Sequence, residues 1–218
     1  SAEGWYWQYE SFLKRLDASF YTVVGAAGEL FAMRRALFTP LPEDTILDDL
    51  MLSLQVCEAG YTIAYEPLAF ATEPPSLSLG DEAIRKKRIA AGAFQALSRL
   101  SMASLANRPA LLFQFLSRRW LRWVACPPAL LLLVPVHIVL VLNGAPLLYS
   151  TLLALHAAFY AAAAAGWWLL RRGRVCAPAT IPFYFLFMNA CMLAGARAYR
   201  RGKATVLWEK ASRPTTGP

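Results

Sequence analysis

Two adjacent carboxylates, Asp48 and Asp49, stand at the start of a predicted helix and are the residues best placed to do chemistry. Thr45 precedes Asp48 by the spacing of a capping box, so Thr45 is expected to cap an early helical N–H and Asp48 to bond the N–H of Thr45. Asp49 is then left free, and a helix N-terminus favours its ionised form. Acidic residues are common in first turns, so this motif alone favours two capping residues without a further role.

A second group with chemical potential is cationic and lies on a helix predicted from about Ser78 to Leu105. Arg85, Arg88 and Gly92 follow the i, i+3, i+7 spacing, so they share one face of that helix. Two planar guanidinium groups above a small residue suit the oxygens of a diphosphate. The alternative is a basic run that is solvated or rests on anionic lipid headgroups.

The elements that position these groups follow from the pattern of apolar residues. Apolar residues recur at helical spacing from Leu47 to Cys57, and Gly60 is placed as the residue that ends this helix. Residues 61–66 alternate in polarity as a strand does, and residues 21–24 form a short β-rich run. Strand, helix and strand in this order predict part of a mixed α/β sheet, with the carboxylates at one edge.

Two glycines and an amphipathic helix precede the carboxylates. Gly25 and Gly28 permit backbone conformations or close approaches that a Cβ would obstruct, and both are also compatible with ordinary turns. Residues 5–16 predict a helix with an aromatic side formed by Trp5, Tyr9, Phe12, Leu13 and Leu16. The same pattern is typical of a helix that packs in a protein core, so no site role follows from it.

Composition and charge divide the chain into two parts with different surroundings. The chain is 57% hydrophobic with a net charge of +8, which is too apolar for an ordinary soluble domain. Every acidic residue except Glu209 falls within the first 82 positions, whereas most Lys and Arg residues lie beyond them. These cations cluster at the ends of apolar runs, as in membrane proteins, so nucleic-acid binding is not predicted. The four cysteines lack metal-ligand spacing, and no metal site is predicted.

The second part predicts a membrane domain. Residues 117–123 mix Arg with Trp as segments at a membrane surface do, and no charged residue follows until Arg171. This length accommodates two membrane helices joined by a turn at residues 143–146. A third uncharged run lies between Arg174 and Arg197. Basic residues flank the first two helices and not their turn, so the flanks and the front part are expected on the cytoplasmic side.

Several stretches in order resemble the membrane-integrated inverting glycosyltransferases of family 2, which include the cellulose, chitin and hyaluronan synthases. Besides the carboxylate pair, they are residues 23–35, 60–67, 85–92 and 206–210. The resemblance covers nearly the whole chain but not the front half of the family's catalytic domain. The family usually has Gln-x-x-Arg-Trp, a form typical of processive synthases. Here Arg85 replaces the Gln, Ile89 replaces the Trp, and Arg88 is kept.

The resemblance implies a role for each candidate residue. Asp49 is implied to be the general base that accepts the proton of the attacking hydroxyl, and Asp48 to orient the start of the helix. The loop of Gly25 and Gly28 is implied to lie against the acceptor sugar. Arg88 and Arg85 are implied to balance the charge of the departing nucleotide diphosphate.

The resemblance also implies a fold class and domain boundaries. Residues 1–106 are expected to be the C-terminal half of an α/β GT-A domain, and residues 107–123 an interfacial amphipathic helix. Two to three transmembrane helices are expected within residues 124–199, at about 124–142, 147–170 and 178–196. The cations from Arg197 to Lys203 leave open whether the third run spans fully or is interfacial or re-entrant. Residues 200–218 are expected to be a polar tail.

The implied activity is transfer of a sugar, with inversion, from a nucleotide-sugar to a glycan or lipid-linked acceptor at the cytoplasmic face of a bacterial inner membrane. A divalent metal, Mg or Mn, is expected as cofactor, with its ligands outside this chain, so the chain alone is expected to be inactive. One alternative is a non-catalytic, membrane-anchored partner or assembly subunit. Another is a small transporter, which the scarcity of ionisable residues in the apolar runs disfavours.

Overall fold

The computed structural model describes residues 2–72 and 79–204. Helices dominate it. Those of the first part are α1 (Ala2–Phe20), α2 (Asp48–Glu58), α3 (Leu79–Arg99) and α4 (Met102–Ala106), with a 3-10 turn at Arg35–Leu37. Those of the second part are α5 (Pro109–Phe115), a π-helical segment (Leu116–Ala125), α6 (Cys126–Leu142), α7 (Leu147–Arg171) and α8 (Ala177–Arg200).

The predicted α/β sheet is wrong, because the described residues contain no strand. The two segments predicted as strands do lie side by side, and the N–H of Val23 donates to the carbonyl of Ile63 at 3.0 Å. The N–H of Ile63, however, donates to the hydroxyl of Thr22 at 2.8 Å instead of to a backbone carbonyl. A side chain thus takes the place of the second partner, and no ladder forms.

Three helices are long and apolar enough to cross a membrane, by length and composition: Pro109–Leu142, Leu147–Arg171 and Ala177–Arg200. The first of them combines α5, the π-helical segment and α6. The segment predicted as a separate interfacial helix, residues 107–123, therefore continues into the first apolar helix. The length and composition of these three helices indicate a membrane protein.

The helix predicted from Ser78 to Leu105 is divided. α3 ends at Arg99 and α4 begins at Met102, with the hydroxyl of Ser101 accepting the N–H of Ser104 as a helix cap. Ser78 lies outside the described residues, as does the stretch 206–210 that resembled the family's C-terminal signature. The break at Ser101 turns the chain back, so α4 and α5 pack into the same core as α2 and α3.

The core is small and lies where the first part meets the beginning of the second. It is built mainly from α2, α3, α4 and α5, with buried contributions from Leu50, Leu54, Ala93, Leu105, Leu111 and Phe115. α3 also runs parallel to α8: Glu82 accepts from the hydroxyl of Tyr184 near one end, and Ser98 bonds Tyr199 near the other. The core and the apolar helices are therefore joined along the length of α3.

The first helix buries the side opposite to the one predicted. Tyr9, Phe12 and Leu16 are 58%, 57% and 49% exposed, whereas Glu10 and Asp17 are buried. The buried carboxylates form ion pairs with arginines of the π-helical segment. Arg118 bonds Asp17 at 2.7 Å, and Arg122 bonds Glu10. Ion pairs with a neighbouring helix, rather than aromatic packing, decide which side of α1 faces inward.

Candidate functional site

A cavity of about 510 Å³ lies where the start of α2, the loop of residues 25–29, α3, the π-helical segment and α8 meet. This volume is within the range of sites that bind small organic ligands. Its charged wall contains Asp48, Asp49, Glu29, Arg85, Lys86, Arg88, Arg119 and Arg122. Its apolar wall contains Trp7, Leu50, Ile89, Trp123, Met188 and Met192.

All six candidate residues from the sequence line this one cavity: Gly25, Gly28, Asp48, Asp49, Arg85 and Arg88. They come from three segments that are separated by about twenty to forty residues in the sequence. The structure therefore brings together the glycine loop, the carboxylates and the cations.

The start of α2 is fixed to α3 by one side-chain amide. Gln95 accepts the N–H of Ile46 at 2.9 Å and donates to the carbonyl of Asp44 at 2.7 Å. Gly92 permits this approach, because a Cβ there would lie 2.7 Å from the Cγ of Leu47 and 2.8 Å from the Cγ2 of Ile46. The small residue predicted on the same face as the two arginines thus serves the packing of α2 against α3.

The predicted capping box at Thr45 is wrong. α2 begins at Asp48 after Leu47, and no side chain caps the helix from the preceding position. The hydroxyl of Thr45 instead accepts from Arg99 at 3.1 Å, and Arg99 also bonds the carboxylate of Asp44. Thr45 is therefore engaged by α3, and Asp48 accepts the N–H of the following residue, Asp49, at 3.0 Å.

The glycine loop is fastened to α2 by a single hydroxyl. Ser53 donates to the carbonyl of Asp49 at 2.6 Å and accepts the N–H of Ala26 at 2.8 Å. A Cβ at Gly28 would lie 3.2 Å from Oδ2 of Asp49, so the loop passes directly over the carboxylate. Gly25 has φ +98°, which an L side chain rarely adopts, and a Cβ there would meet Arg119.

Burial raises the pKa of Asp49 from its ordinary value. The N–H of Leu50, which donates to Oδ1 at 2.8 Å, and the charge of Arg119 oppose this effect. The carboxylates of Asp48 and Glu29 add to it. The position at the helix start favours the ionised form, but desolvation outweighs the favourable N–H, so the pKa of Asp49 is raised overall. Asp49 is therefore a better proton acceptor than a solvated aspartate.

The cations of α3 belong to the same charged wall as the carboxylates. Arg88 lies against the start of α2, with its guanidinium 3.5 Å from the carbonyl of Ile46. Burial lowers the pKa of Arg88 and the carboxylate of Asp48 raises it, and a guanidinium stays charged in proteins. Lys86 is buried on the same helix. The cavity can therefore receive an anionic group beside Asp48 and Asp49.

Sequence reasoning missed the contribution of the π-helical segment. The sequence pattern of residues 117–123 indicates only a membrane-surface segment, yet Arg119, Arg122 and Trp123 line the cavity. Arg119 donates to the carbonyl of Val24 at 3.0 Å through Nε, and its guanidinium lies 5.5 Å from the ring centre of Trp123. In the sequence, the signal for this contact was the pair of carboxylates Glu10 and Asp17 in α1, because acids that become buried need basic partners.

The arginines of the π-helical segment change the pKa of Glu10, which lines the cavity. Burial raises the pKa of Glu10, but Arg122, with Arg119 and Arg118, outweighs burial, so its pKa is lowered overall. Burial is also the main cause that lowers the pKa of the neighbouring Lys14. α1 and the π-helical segment are thus joined by charge at one edge of the cavity.

Among residues 2–72 and 79–204, no group of three or more His, Cys, Asp or Glu side chains could hold a metal ion. Comparisons with models of protein families, with curated proteins and with solved structures each return no match for this chain.

Proposed function

We propose that this chain is the acceptor-side part of a membrane-bound inverting glycosyltransferase that uses a nucleotide-sugar as donor. The observation that carries the proposal is the shared cavity, in which Asp49 faces the glycine loop and lies on the same charged wall as Arg85 and Arg88. Sugar transfer from such a donor needs a base for the attacking hydroxyl and cations for the departing diphosphate. Both are present within one cavity.

Asp49 is the proposed general base. It accepts the proton of the acceptor hydroxyl as that oxygen attacks the anomeric carbon from the face opposite the leaving group. A carboxylate is a suitable base when its pKa lies closer to the working pH, and burial moves the pKa of Asp49 in that direction. The close passage of Gly28 leaves room beside the carboxylate, where a larger residue would crowd it.

Arg88 and Arg85 are proposed to stabilise the diphosphate as it departs. Negative charge on the leaving group grows in the transition state, so fixed cations lower the barrier more than they strengthen ground-state binding. Arg88 is positioned by the contact of α3 with the start of α2, which also carries Asp49. The base and the cations therefore belong to one rigid unit.

The proposed location is a cytoplasmic membrane face, because the apolar helices flank the site and the donor is made in the cytoplasm. Arg171 and Arg172 stack on Trp167 and Trp168 at the end of α7, with guanidinium carbons 4.5 and 3.9 Å from the ring centres. Arg beside Trp is typical of a membrane interface, and an excess of Arg favours the cytoplasmic one.

The proposal is tested by Asp49→Asn in the full-length protein that contains this chain. Membranes are incubated with radiolabelled nucleotide-sugars, and labelled product is measured as a function of time. Loss of a general base lowers transfer about a hundredfold or more. Glu43→Gln is the matched control, because it removes an exposed carboxylate five residues before α2 without touching the cavity.

Two results separate the possible functions. Near-complete loss in Asp49→Asn with normal transfer in Glu43→Gln supports the proposed reaction. Equal transfer in wild type and Asp49→Asn removes Asp49 from its role, whereas no transfer by the wild-type protein itself favours a non-catalytic membrane partner.

A further inference from the structure

The cavity has an apolar side that transfer to a soluble sugar does not explain. Met188 and Met192 of α8 line it together with Trp123 of the π-helical segment. A sugar placed against this side would bury hydroxyl groups opposite side chains that offer almost no hydrogen-bond partners, which is costly. Methionine side chains are flexible and polarisable, and they adapt to apolar ligands of irregular shape.

The apolar side continues out of the cavity along one face of α8. Ile181, Phe185, Met188 and Met192 follow the helical spacing that places residues on a single face, and we call these four residues the α8 stripe. Met188 and Met192 line the cavity, whereas Ile181 and Phe185 are 46% and 47% exposed. The stripe runs for about 16 Å at the rise of an α-helix.

The outer end of the α8 stripe lies among the apolar helices. Phe185 packs edge-on against Phe159 of α7, with ring centres 5.9 Å apart. Nearby, Gly166 of α7 lets the backbone of Ala179 approach, since a Cβ there would lie 2.1 Å from that carbonyl oxygen. Both helices are long and apolar enough to cross a membrane. The stripe therefore connects the cavity to a surface that suits lipid chains.

We infer that the acceptor is a hydroxyl-bearing membrane lipid, whose polar head reaches Asp49 and whose apolar chain lies along the α8 stripe. The inference rests on the proposed function. The lipid hydroxyl oxygen forms a bond to the anomeric carbon as the bond from that carbon to the donor's phosphate oxygen breaks. The electron pair leaves with the nucleoside diphosphate, and the hydroxyl proton passes to the carboxylate of Asp49.

The head of such a lipid is expected to be small and uncharged at the reacting hydroxyl. Asp48, Asp49 and Glu29 line the cavity beside the glycine loop together with Arg119, which donates to the carbonyl of Val24, so an anionic head there would meet three carboxylates and one guanidinium. In the proposed reaction, the arginines of α3 bind the diphosphate of the donor and do not contact the lipid head. Diacylglycerol has the required chemistry, with one free hydroxyl next to two apolar chains, and it is the probe we choose.

The test uses the full-length protein in phosphatidylcholine vesicles that contain a photoactivatable, diazirine-bearing diacylglycerol. After irradiation, the labelled peptides are identified by mass spectrometry. In parallel, vesicles with ordinary diacylglycerol receive radiolabelled nucleotide-sugars, and the product is partitioned between chloroform–methanol and water. We expect label on the peptide that contains Met188 and Met192, and radioactive product in the organic phase.

Paired variants test the α8 stripe itself. Met188→Gln with Met192→Gln keeps side-chain length but adds polar groups, and we expect roughly a tenfold loss of labelling and of organic-phase product. Met188→Leu with Met192→Leu keeps the stripe apolar and is expected to retain both. Equal labelling in the Gln and Leu pairs, or label confined to other peptides, would overturn the inference.

Failure of the inference is distinguishable from failure of the proposed function. Water-soluble labelled product that depends on Asp49 would overturn the lipid acceptor and leave the glycosyltransferase intact, with a glycan as the acceptor. Asp49→Asn should still be labelled at the stripe while forming no product, because binding does not need the base. Labelling of the stripe with no transfer by the wild-type protein would overturn the proposed function and the acceptor role together, whereas organic-phase product unaffected by Asp49→Asn would overturn only the role of Asp49.

Discussion

At the scale of single residues, the surroundings of Asp49 change its acid–base behaviour more than its position in the sequence does. A helix start favours the ionised form, yet burial beneath the glycine loop and the adjacent Asp48 shift the balance toward the protonated form. A base that acts at the transition state benefits from this shift, provided that the working pH stays above its pKa. The acidic side of the pH profile should therefore report Asp49.

Asp48→Asn should move the acidic limb of the transfer rate to lower pH. The base must be ionised to act, and the negative charge of Asp48 raises the pKa of Asp49, so its removal lets Asp49 ionise in more acidic solution. Arg119→Gln should move the limb the other way, because Arg119 lowers that pKa. The measurement is transfer rate against pH for the three proteins. Limbs that coincide would show that another group is titrating.

Gly28→Ala should slow transfer without unfolding the protein. The added methyl group would lie 3.2 Å from Oδ2 of Asp49, which must give way by a few tenths of an ångström. Gly28 has no left-handed backbone angle, so alanine fits its conformation. Displacing a base by such amounts costs roughly ten- to a hundredfold in rate. Rates and thermal unfolding are measured together, and an unchanged rate would place the reacting hydroxyl elsewhere.

At the scale of elements, the parts of the cavity are held by side chains that bond backbone groups. Gln95 fastens the approach to α2, Ser53 fastens the glycine loop, and Gln114 accepts the N–H of Thr22 and donates to the carbonyl of Asp17. These buried amides and hydroxyls do the work that strand pairing would do in a sheet. Removing any one of these side chains should destabilise the cavity wall, because it leaves backbone N–H or carbonyl groups without a hydrogen-bond partner.

Ser53→Ala should loosen the glycine loop and lower stability by about 0.5–1.5 kcal/mol, because the part-buried N–H of Ala26 loses its partner. Transfer should fall with it, since the loop covers Asp49. Ser117→Ala is the matched control: Ser117 donates to the carbonyl four residues earlier, as Ser53 does, but it is exposed and its hydroxyl is bonded only to its own helix. Chemical denaturation compares the two, and equal losses would contradict this role.

At the scale of the whole molecule, α8 belongs both to the apolar helices and to the site. Its contact with α7 faces the apolar region, and its contact with α3 carries the arginines and the cavity wall. Gly195 makes the second contact possible, since a Cβ there would lie 2.4 Å from the Cβ of Ala90 and 2.7 Å from the N of Ala91. The distance between α3 and α8 therefore sets the shape of the cavity.

Gly195→Ala should force α3 away from α8 and cost about 1–3 kcal/mol of stability, as overpacking does in close-packed interiors. Transfer should fall as well, because Arg85 and Arg88 move with α3. Ala190→Val is the control, since it adds bulk to α8 at an exposed position. Thermal unfolding in detergent and transfer in vesicles are measured for both variants. A Gly195→Ala protein with normal stability and activity would contradict the close packing.

Several elements could be predicted from the sequence, since they depend on local patterns. The helix from Asp48 to Glu58 follows from its apolar spacing, and Gly60 ends it with φ +96° as predicted. The apolar runs predict helices because length and hydropathy alone determine them. The six candidate residues were selected by type, spacing and resemblance, and they line one cavity.

Only the tertiary structure decided which groups compete for each partner. The sheet does not form, because the N–H of Ile63 donates to the hydroxyl of Thr22 instead of to a backbone carbonyl. Thr45 does not cap α2, because its hydroxyl accepts a hydrogen bond from Arg99. The acidic side of α1 faces inward because it forms ion pairs with arginines of a segment about a hundred residues further along the chain. Local patterns specify what a residue can do, whereas burial and distant charges specify which of its options has the lowest free energy.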